Sequence, residues 1–558
     1  MREVDEQLRE LYTLLHTRPW NEVLEILRRI RENPDPLAVV RFIKEGDILV
    51  RGNELHECTN AGADVQGPVG KEPNPVQPRL LHTRPWTTIA DDNVVQDLVS
   101  VFFEREQPFL MSFVDREMFL TDMQAKFDPF AGRPFCSTLL VNAICAITTC
   151  HSEVSAGANY ASRRDLGEAF FTESKRLLEL QCGKPSIPTA QALFIMFSYS
   201  CRMGQDRAGH IFRAAGYEML RRMMPKVKRA VTNTTRPYNS RRALSRAIWG
   251  MFCYDSICSS AYLCPSLLPV PDLPRPSSSI FSADLHGDEA KLSNWSPSSD
   301  EEAEMVFSHA CDLSEIFNRV LHYAGGYIDP GGNGDGKLRL AQLYADLVAR
   351  QSSLPLEEGY LGRHCREHSY LWAYYHLVAI HITRLLQTLD GQLPGQVDRP
   401  RDICIRHCQD IMKHVDQHLT RYPTERQGCL AVLYFAYSCT ITLIDLIGTS
   451  MPIPRPFSQA CLVFFDATVV YPLSSLLLEG LAVVAKHMGV ELPADTTPYF
   501  TNVPNSRPRR EAITLGFVVP VRARLAALLA ADEWEYMPEE TGIELGDLLA
   551  RFESVAVE

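Results

Sequence analysis

No pair among the sixteen cysteines stands at C-x-x-C spacing. That excludes the finger, knuckle and ribbon classes of zinc site. The G-x-S-x-G elbow, the H-E-x-x-H pair and the Rossmann glycine pattern are missing too, and with them the sequence marks of the enzymes that use them. No apolar run approaches 18 residues, so no membrane span is predicted. Strand signals are scarce: period-2 alternation is rare, and no Asn-Gly or Asp-Gly turn lies between β-branched runs. Positive charge is in deficit, with a net charge of -12. A protein that grips nucleic acid with its whole body is basic, so that mode of binding is disfavoured. The start, Met1-Arg2-Glu3-Val4-Asp5-Glu6, lacks an apolar h-region. The expectation is no secretory leader, and a reducing compartment in which most thiols are small buried hydrophobes rather than disulfides.

Helical periodicity dominates what is present. Leu8, Leu11, Leu14 and Leu15, then Val23, Leu24, Leu27 and Ile30, recur at helical steps around a break at Pro19. Residues 1–50 therefore read as a helical arm, with Asp35 and Pro36 opening its last helix. Residues 51–85 are rich in Gly, Pro, Asn and Gln and read as a flexible linker. Leu14–Trp20 recurs identically as Leu80–Trp86 without matching flanks, a local duplication or a misjoined gene rather than a structural repeat. From Trp86 the helical pattern runs to about Tyr262. It resumes at 303–323, 338–352, 367–390, 400–421, 427–448 and 457–489. The fold class is all-α: a large helical body in two parts, 86–290 and 291–500, followed by a tail, 501–558.

That tail is acidic from residue 532. Nine acids and one base give residues 532–558 a net charge of -8 out of -12, with Trp534, Tyr536, Ile543, Leu548 and Phe552 interleaved. Acidic–hydrophobic alternation is a feature of activation segments that fold on a partner, though a solvated terminal helix packed on the body is the plainer reading.

Motifs that look like chemistry are weaker on inspection. Gly331–Lys337 satisfies G-x-x-x-x-G-K, but Leu338 stands where a P-loop needs Ser or Thr, and the preceding residues read as helix. Leu340 stands where a calcium loop starting at Asp329 needs Glu. His364-Cys365-Arg366-Glu367-His368 matches H-x-x-E-H, but no third ligand announces itself, and a surface-facing helix start is the plainer reading. Cys404, His407, Cys408, His414 and His418 are the densest ligand cluster. Along one helix Cys404 and His418 lie about 21 Å apart, so the set forms no single site. An i,i+4 pair from it needs ligands from elsewhere. Twelve Lys or Arg fall between Arg202 and Arg246 against Asp206 and Glu218, and Arg507-Pro508-Arg509-Arg510 is a second small basic cluster. These read first as a solvated helix face and loop, second as importin-read or phosphate-facing patches. No catalytic, cofactor-binding, metal or DNA-binding residue is assigned in this chain.

Several ordered blocks resemble one family. They are Pro85–Asp92, Val101–Phe109, Phe113–Phe119, Phe135–Ala143, Pro185–Leu193, Arg241–Asp255 and Pro271–Pro274. Over about 190 residues the chain resembles the middle homology region of fungal zinc-cluster transcription factors. Tyr12–Val50 resembles the helical segment that follows their zinc cluster, and Pro472–Pro493 their closing helices. In these blocks Trp249 and Phe252 are core residues at helical spacing, Asp115 caps the helix that follows it, and Pro185-Ser186 opens another. Two turns depart from the family pattern: Leu263-Cys264-Pro265-Ser266 and Met223-Met224-Pro225-Lys226-Val227. The six-cysteine cluster is the larger departure, because no cysteine precedes Cys58.

The resemblance implies a nuclear regulator of RNA polymerase II-dependent genes and no enzyme. It implies a regulatory, effector-responsive helical body, with a small molecule as effector. Residues 1–50 would form a homo- or heterodimer, and the acidic tail would contact the transcription machinery. DNA would be reached indirectly or through a module outside this chain, and zinc is expected only in that module, with no cofactor here and no membrane. The alternative is a non-DNA-binding partner or dominant-negative subunit of a full-length relative. A distant one is a zinc hydrolase using His364, Glu367 and His368.

Overall fold

The computed structural model describes residues 86–125, 134–151, 160–262, 264–277, 297–324, 335–355, 366–388, 398–427, 429–447, 454–501, 517–520 and 542–544. The arm 1–50, the linker 51–85, most of the tail, and the Arg507–Arg510 cluster lie outside the described residues.

Helix follows helix, as the periodicity predicts. The first group comprises α1 (Asp92–Val101), a π-helical turn (Phe102–Glu106), α2 (Arg116–Gln124), α3 (Thr138–Thr148), α4 (Tyr160–Leu180), α5 (Ile187–Arg202), α6 (Asp206–Thr232) and α7 (Tyr238–Ser260). The second comprises α8 (Pro297–Ala324), α9 (Asp335–Gln351), α10 (Arg366–Thr388), α11 (Pro400–Arg421), α12 (Leu430–Ile447), α13 (Arg455–Ala467), α14 (Pro472–Met488) and the short α15 (Thr497–Thr501). Two three-residue strands, β1 (Val518–Pro520) and β2 (Gly542–Glu544), pair antiparallel with Val519 opposite Ile543. They are an addition to an all-α fold, too short to leave an alternating pattern in the sequence.

Local chemistry sets the helix starts. Asp91 accepts from the amides of Asn93 and Val94, Asp115 from Met118, Ser137 from Leu140 and Ser186 from Thr189. Each satisfies an amide left unpaired at a helix start. The stretch 457–489, expected as one helix, is two. It breaks after Ala467, and Pro472 opens α14. Proline has no N–H to give and suits the first turn of a new helix better than the middle of an old one. The reverse holds at Pro225, where α6 continues to Thr232.

Neighbouring helices pack in sequence order: α3 on α4, α5 on α6, α10 on α11, α12 on α13. The α5–α6 turn closes through Gly204, whose φ of +69° suits a residue without Cβ. Contacts of α14 with α5, and of α12 with α7, join the two groups. One hydrophobic core runs through both. Its axis is α5, every residue of which is buried. Eleven of the fourteen described cysteines are buried, as expected of small core residues. Burial pushes the Cys258 thiol up to about 12, away from the reactive thiolate. Among the described residues no helix is long and apolar enough to cross a membrane.

Candidate functional site

The blocks that carry the resemblance meet in space. Phe113 is their junction: its carbonyl accepts from Gln191 Nε2 on α5 at 2.6 Å. A Cβ on Gly250 of α7 would lie 2.6 Å from Phe113 N. Arg246 of α7 reaches the neighbouring Ser112 carbonyl at 3.3 Å. Asn142 of α3 donates to the Trp86 carbonyl at 3.1 Å and its Oδ1 accepts from the Thr87 hydroxyl at 2.9 Å. Trp249, packed edge-on against Phe252, donates to the Leu273 carbonyl at 3.2 Å. Core packing was the expectation for Trp249 and Phe252, and both are buried.

Three buried ionic hubs lie inside this frame, and the sequence singled out none of them. In the first, Glu106 at the end of the π-helical turn binds the Arg202 guanidinium and, at 2.8 Å, His151 Nε2. Arg202 also donates to the Ile147 carbonyl at 2.8 Å and sits over the Tyr471 ring. Burial alone would raise the Glu106 carboxyl. Arg202 and His151 outweigh it and hold that carboxyl below its ordinary value. In the second, Arg213 donates to Asp255 Oδ1 at 2.7 Å and to the Ser259 hydroxyl. Asp255 Oδ2 accepts from the Ser266 hydroxyl at 2.5 Å and the Leu268 amide at 3.1 Å. The exit of the Leu263–Ser266 segment is thereby tied to α6 and α7.

The third hub joins the two helical groups. Glu425 Oε1 binds Arg105 at 2.7 Å and Arg366 at 3.3 Å. Its Oε2 takes the Tyr370 hydroxyl at 2.7 Å and His418 Nε2 at 2.5 Å. Burial opposes ionisation of Glu425, but His418, Tyr370 and Arg105 bring it down to about 2. Every one of these carboxylates is held by several donors. Such groups fix helix positions.

Gly331–Gly334 and His364 lie outside the described residues, while Asp335–Lys337 begin α9. His368 is buried and lies 3.2 Å from Glu302 of α8, which corrects the reading of a surface-facing helix start. The Cys404–His418 set lies on α11 and its members diverge. Cys404 and Cys408 are buried, His418 joins the Glu425 hub, and His414 stacks on Trp372. His414 and His418 are buried rather than at the rim of the helix interface, where the sequence reading put them. The basic stretch divides. Arg221 and Arg222 are exposed and share Glu218, whereas Arg202, Arg213 and Arg241 are fully inside.

A shallow depression lined by Thr149, Cys150, Arg163, Arg164, Tyr199 and Met203 has room for little more than one water molecule, far less than the roughly 300–1,000 Å³ of a small-molecule site.

Residues 99–305 match the fungal specific transcription factor domain. Over 321 residues the chain is 25% identical to the notoamide biosynthesis transcriptional activator notL' of Aspergillus versicolor. That similarity covers 55% of this chain and 49% of the relative, so the match spans about half the relative's length. No solved structure matches the chain.

Proposed function

We propose that this chain, which carries a fungal specific transcription factor domain over residues 99–305, is a nuclear regulator of RNA polymerase II-dependent genes. The observation that carries the reading is that match, laid over a helical body whose family-like blocks close on Phe113 and whose buried carboxylates are structural. A rigid body of this kind serves regulation by holding or releasing other segments, not by chemistry on a substrate.

Residues 1–50 act in this reading as the association arm, with the same chain or a relative. DNA is reached through that partner or through a module beyond the present residues. The tail from residue 532 contacts the transcription machinery through its interleaved acids and aromatics. Activation is the output favoured by that tail and by the name of the Aspergillus relative.

Two experiments test this. Residues 525–558 fused to a foreign DNA reader should raise a reporter, and no activation there removes the role given to the tail. Genomic DNA upstream of Met1 separates the two routes to DNA: an in-frame C-x-x-C-rich segment would sink the version in which a partner supplies the contact.

A further inference from the structure

The two histidine-bearing helices α10 and α11 pack directly on each other. At their interface His376 Nδ1 of α10 lies 2.8 Å from His407 Nδ1 of α11. Asp410, one turn beyond His407 on the same face, places Oδ2 at 3.9 Å from His376 Nδ1. One donor atom from each of the three residues falls within 4.8 Å of the others. His376 is buried, His407 is partly covered, and the Asp410 side chain is 45% exposed. The cluster is therefore built on rigid helices and open to water on one side only.

We propose that His376, His407 and Asp410 form a binding site for a borderline divalent first-row metal ion of the zinc class, with a fourth position left to water. The sequence offered His407 as a ligand that lacked outside partners. The fold supplies one from the neighbouring helix, and Asp410 comes from its own. Two imidazoles and one carboxylate are the donor set that zinc, cobalt and nickel accept in open, water-bearing sites. Bonds of about 2.0–2.1 Å to a tetrahedral ion put donor atoms roughly 3.3 Å apart. The 2.8 and 3.9 Å separations bracket that distance, and the third pair of donors lies within 4.8 Å, so the side chains reach an ion by local rotation.

Surroundings prepare the ligands. His407 Nε2 lies 3.2 Å from the Tyr344 hydroxyl. With Nε2–H donating to that oxygen, Nδ1 presents its lone pair to the ion, the usual outer-shell device for fixing a ligating histidine. His376 stacks against His414 and lies near Trp372, which limits its rotation. The cations Arg406 and Lys413 lie beside the two rings. The nearby cations Arg406 and Lys413 oppose a dication, although Arg406 is engaged by Asp398 at 2.6 Å. That opposition weakens the expected affinity.

Purified full-length chain titrated with Co²⁺ should show visible d–d bands of nitrogen and oxygen ligation, without a thiolate charge-transfer band, at one equivalent. Zn²⁺ should abolish those bands by displacement and raise the melting temperature. His407→Gln should remove the bands, and Asp410→Asn should weaken cobalt binding about tenfold or more. Asp410 is half exposed, so its amide variant should melt like the parent without metal and keep the test valid if His407→Gln misfolds. Binding of equal stoichiometry and affinity in the parent and in Asp410→Asn would overturn the proposal. So would a parent chain that takes up no cobalt, or one that binds it through sulfur.

Discussion

Arg105 and Glu425 lie 320 residues apart in sequence and 2.7 Å apart in space. The contact matters because of its neighbours on each side. Glu106, next to Arg105 on the same π-helical turn, binds Arg202 and His151 within the first helical group. Glu425 gathers Tyr370 and His418 from the second. Two adjacent residues on one turn thus anchor both groups. Removing one member of a buried pair costs roughly 3–5 kcal/mol when the other charge is left without compensation. Glu425 keeps Arg366, Tyr370 and His418, so Arg105→Ala should lower the unfolding free energy by less, about 1.5–3 kcal/mol. Equilibrium denaturation of the variant checks this, and a change within experimental error would show the contact to be dispensable.

Acid should expose the same hub. The Glu425 carboxyl is brought down to about 2 in the folded protein by His418, Tyr370 and Arg105, against the opposing effect of burial. A folded value below the unfolded one means the stabilisation is fully present above about pH 4.5 and lost as pH falls toward 2. A displacement of this size corresponds to roughly 3 kcal/mol. Stability measured from pH 6 to 2 should fall steeply in the parent chain and less steeply in Glu425→Gln. Parallel curves would contradict the assignment.

Gly250 marks a different kind of constraint. A Cβ there would meet Phe113 N at 2.6 Å and Phe113 Cα at 2.7 Å, both backbone atoms that cannot rotate away. Helix propensity alone makes Gly→Ala favourable by about 1 kcal/mol. Overpacking typically costs about 1–3 kcal/mol and should win here. Gly250→Ala is therefore expected to lower the melting temperature, and a rise would show that α7 and the Phe113 segment can separate.

Arg213→Lys is expected to destabilise although the charge is kept. The guanidinium serves Asp255 and Ser259 at once and lies against the Phe197 and Tyr262 rings. An ammonium cannot reproduce that planar fork. Thermal unfolding should place the lysine variant below the parent but above Arg213→Ala. Equal melting of lysine variant and parent would mean that charge alone suffices.

Much of this fold was legible from spacing. Periodic apolar residues placed α11 at 400–421, and Asp115 and Ser186 read as helix starts because short acceptors before apolar runs have that one use. Proline was read less well. Pro472 starts a helix and Pro225 sits inside one, and only packing decides between those outcomes. The hubs were invisible for another reason. Arg202, Arg213 and Arg241 stand in a row with Arg221 and Arg222, and nothing local says which point inward. Their partners lie far away in sequence or are backbone carbonyls, as with Arg202 at Ile147 and Arg241 at Val231. His376 escaped notice likewise, because it lies on a different helix from its partners, and His407-x-x-Asp410 alone names no site.

Transcript profiling tests the central claim most directly. Strains lacking this chain, re-expressing it, or re-expressing it with Gly250→Ala are compared under the same growth conditions. A discrete set of transcripts should fall on loss of the chain, return with the parent protein, and return incompletely with the destabilised variant. An unchanged transcript profile in all three strains, with the parent protein present at normal abundance, would contradict it.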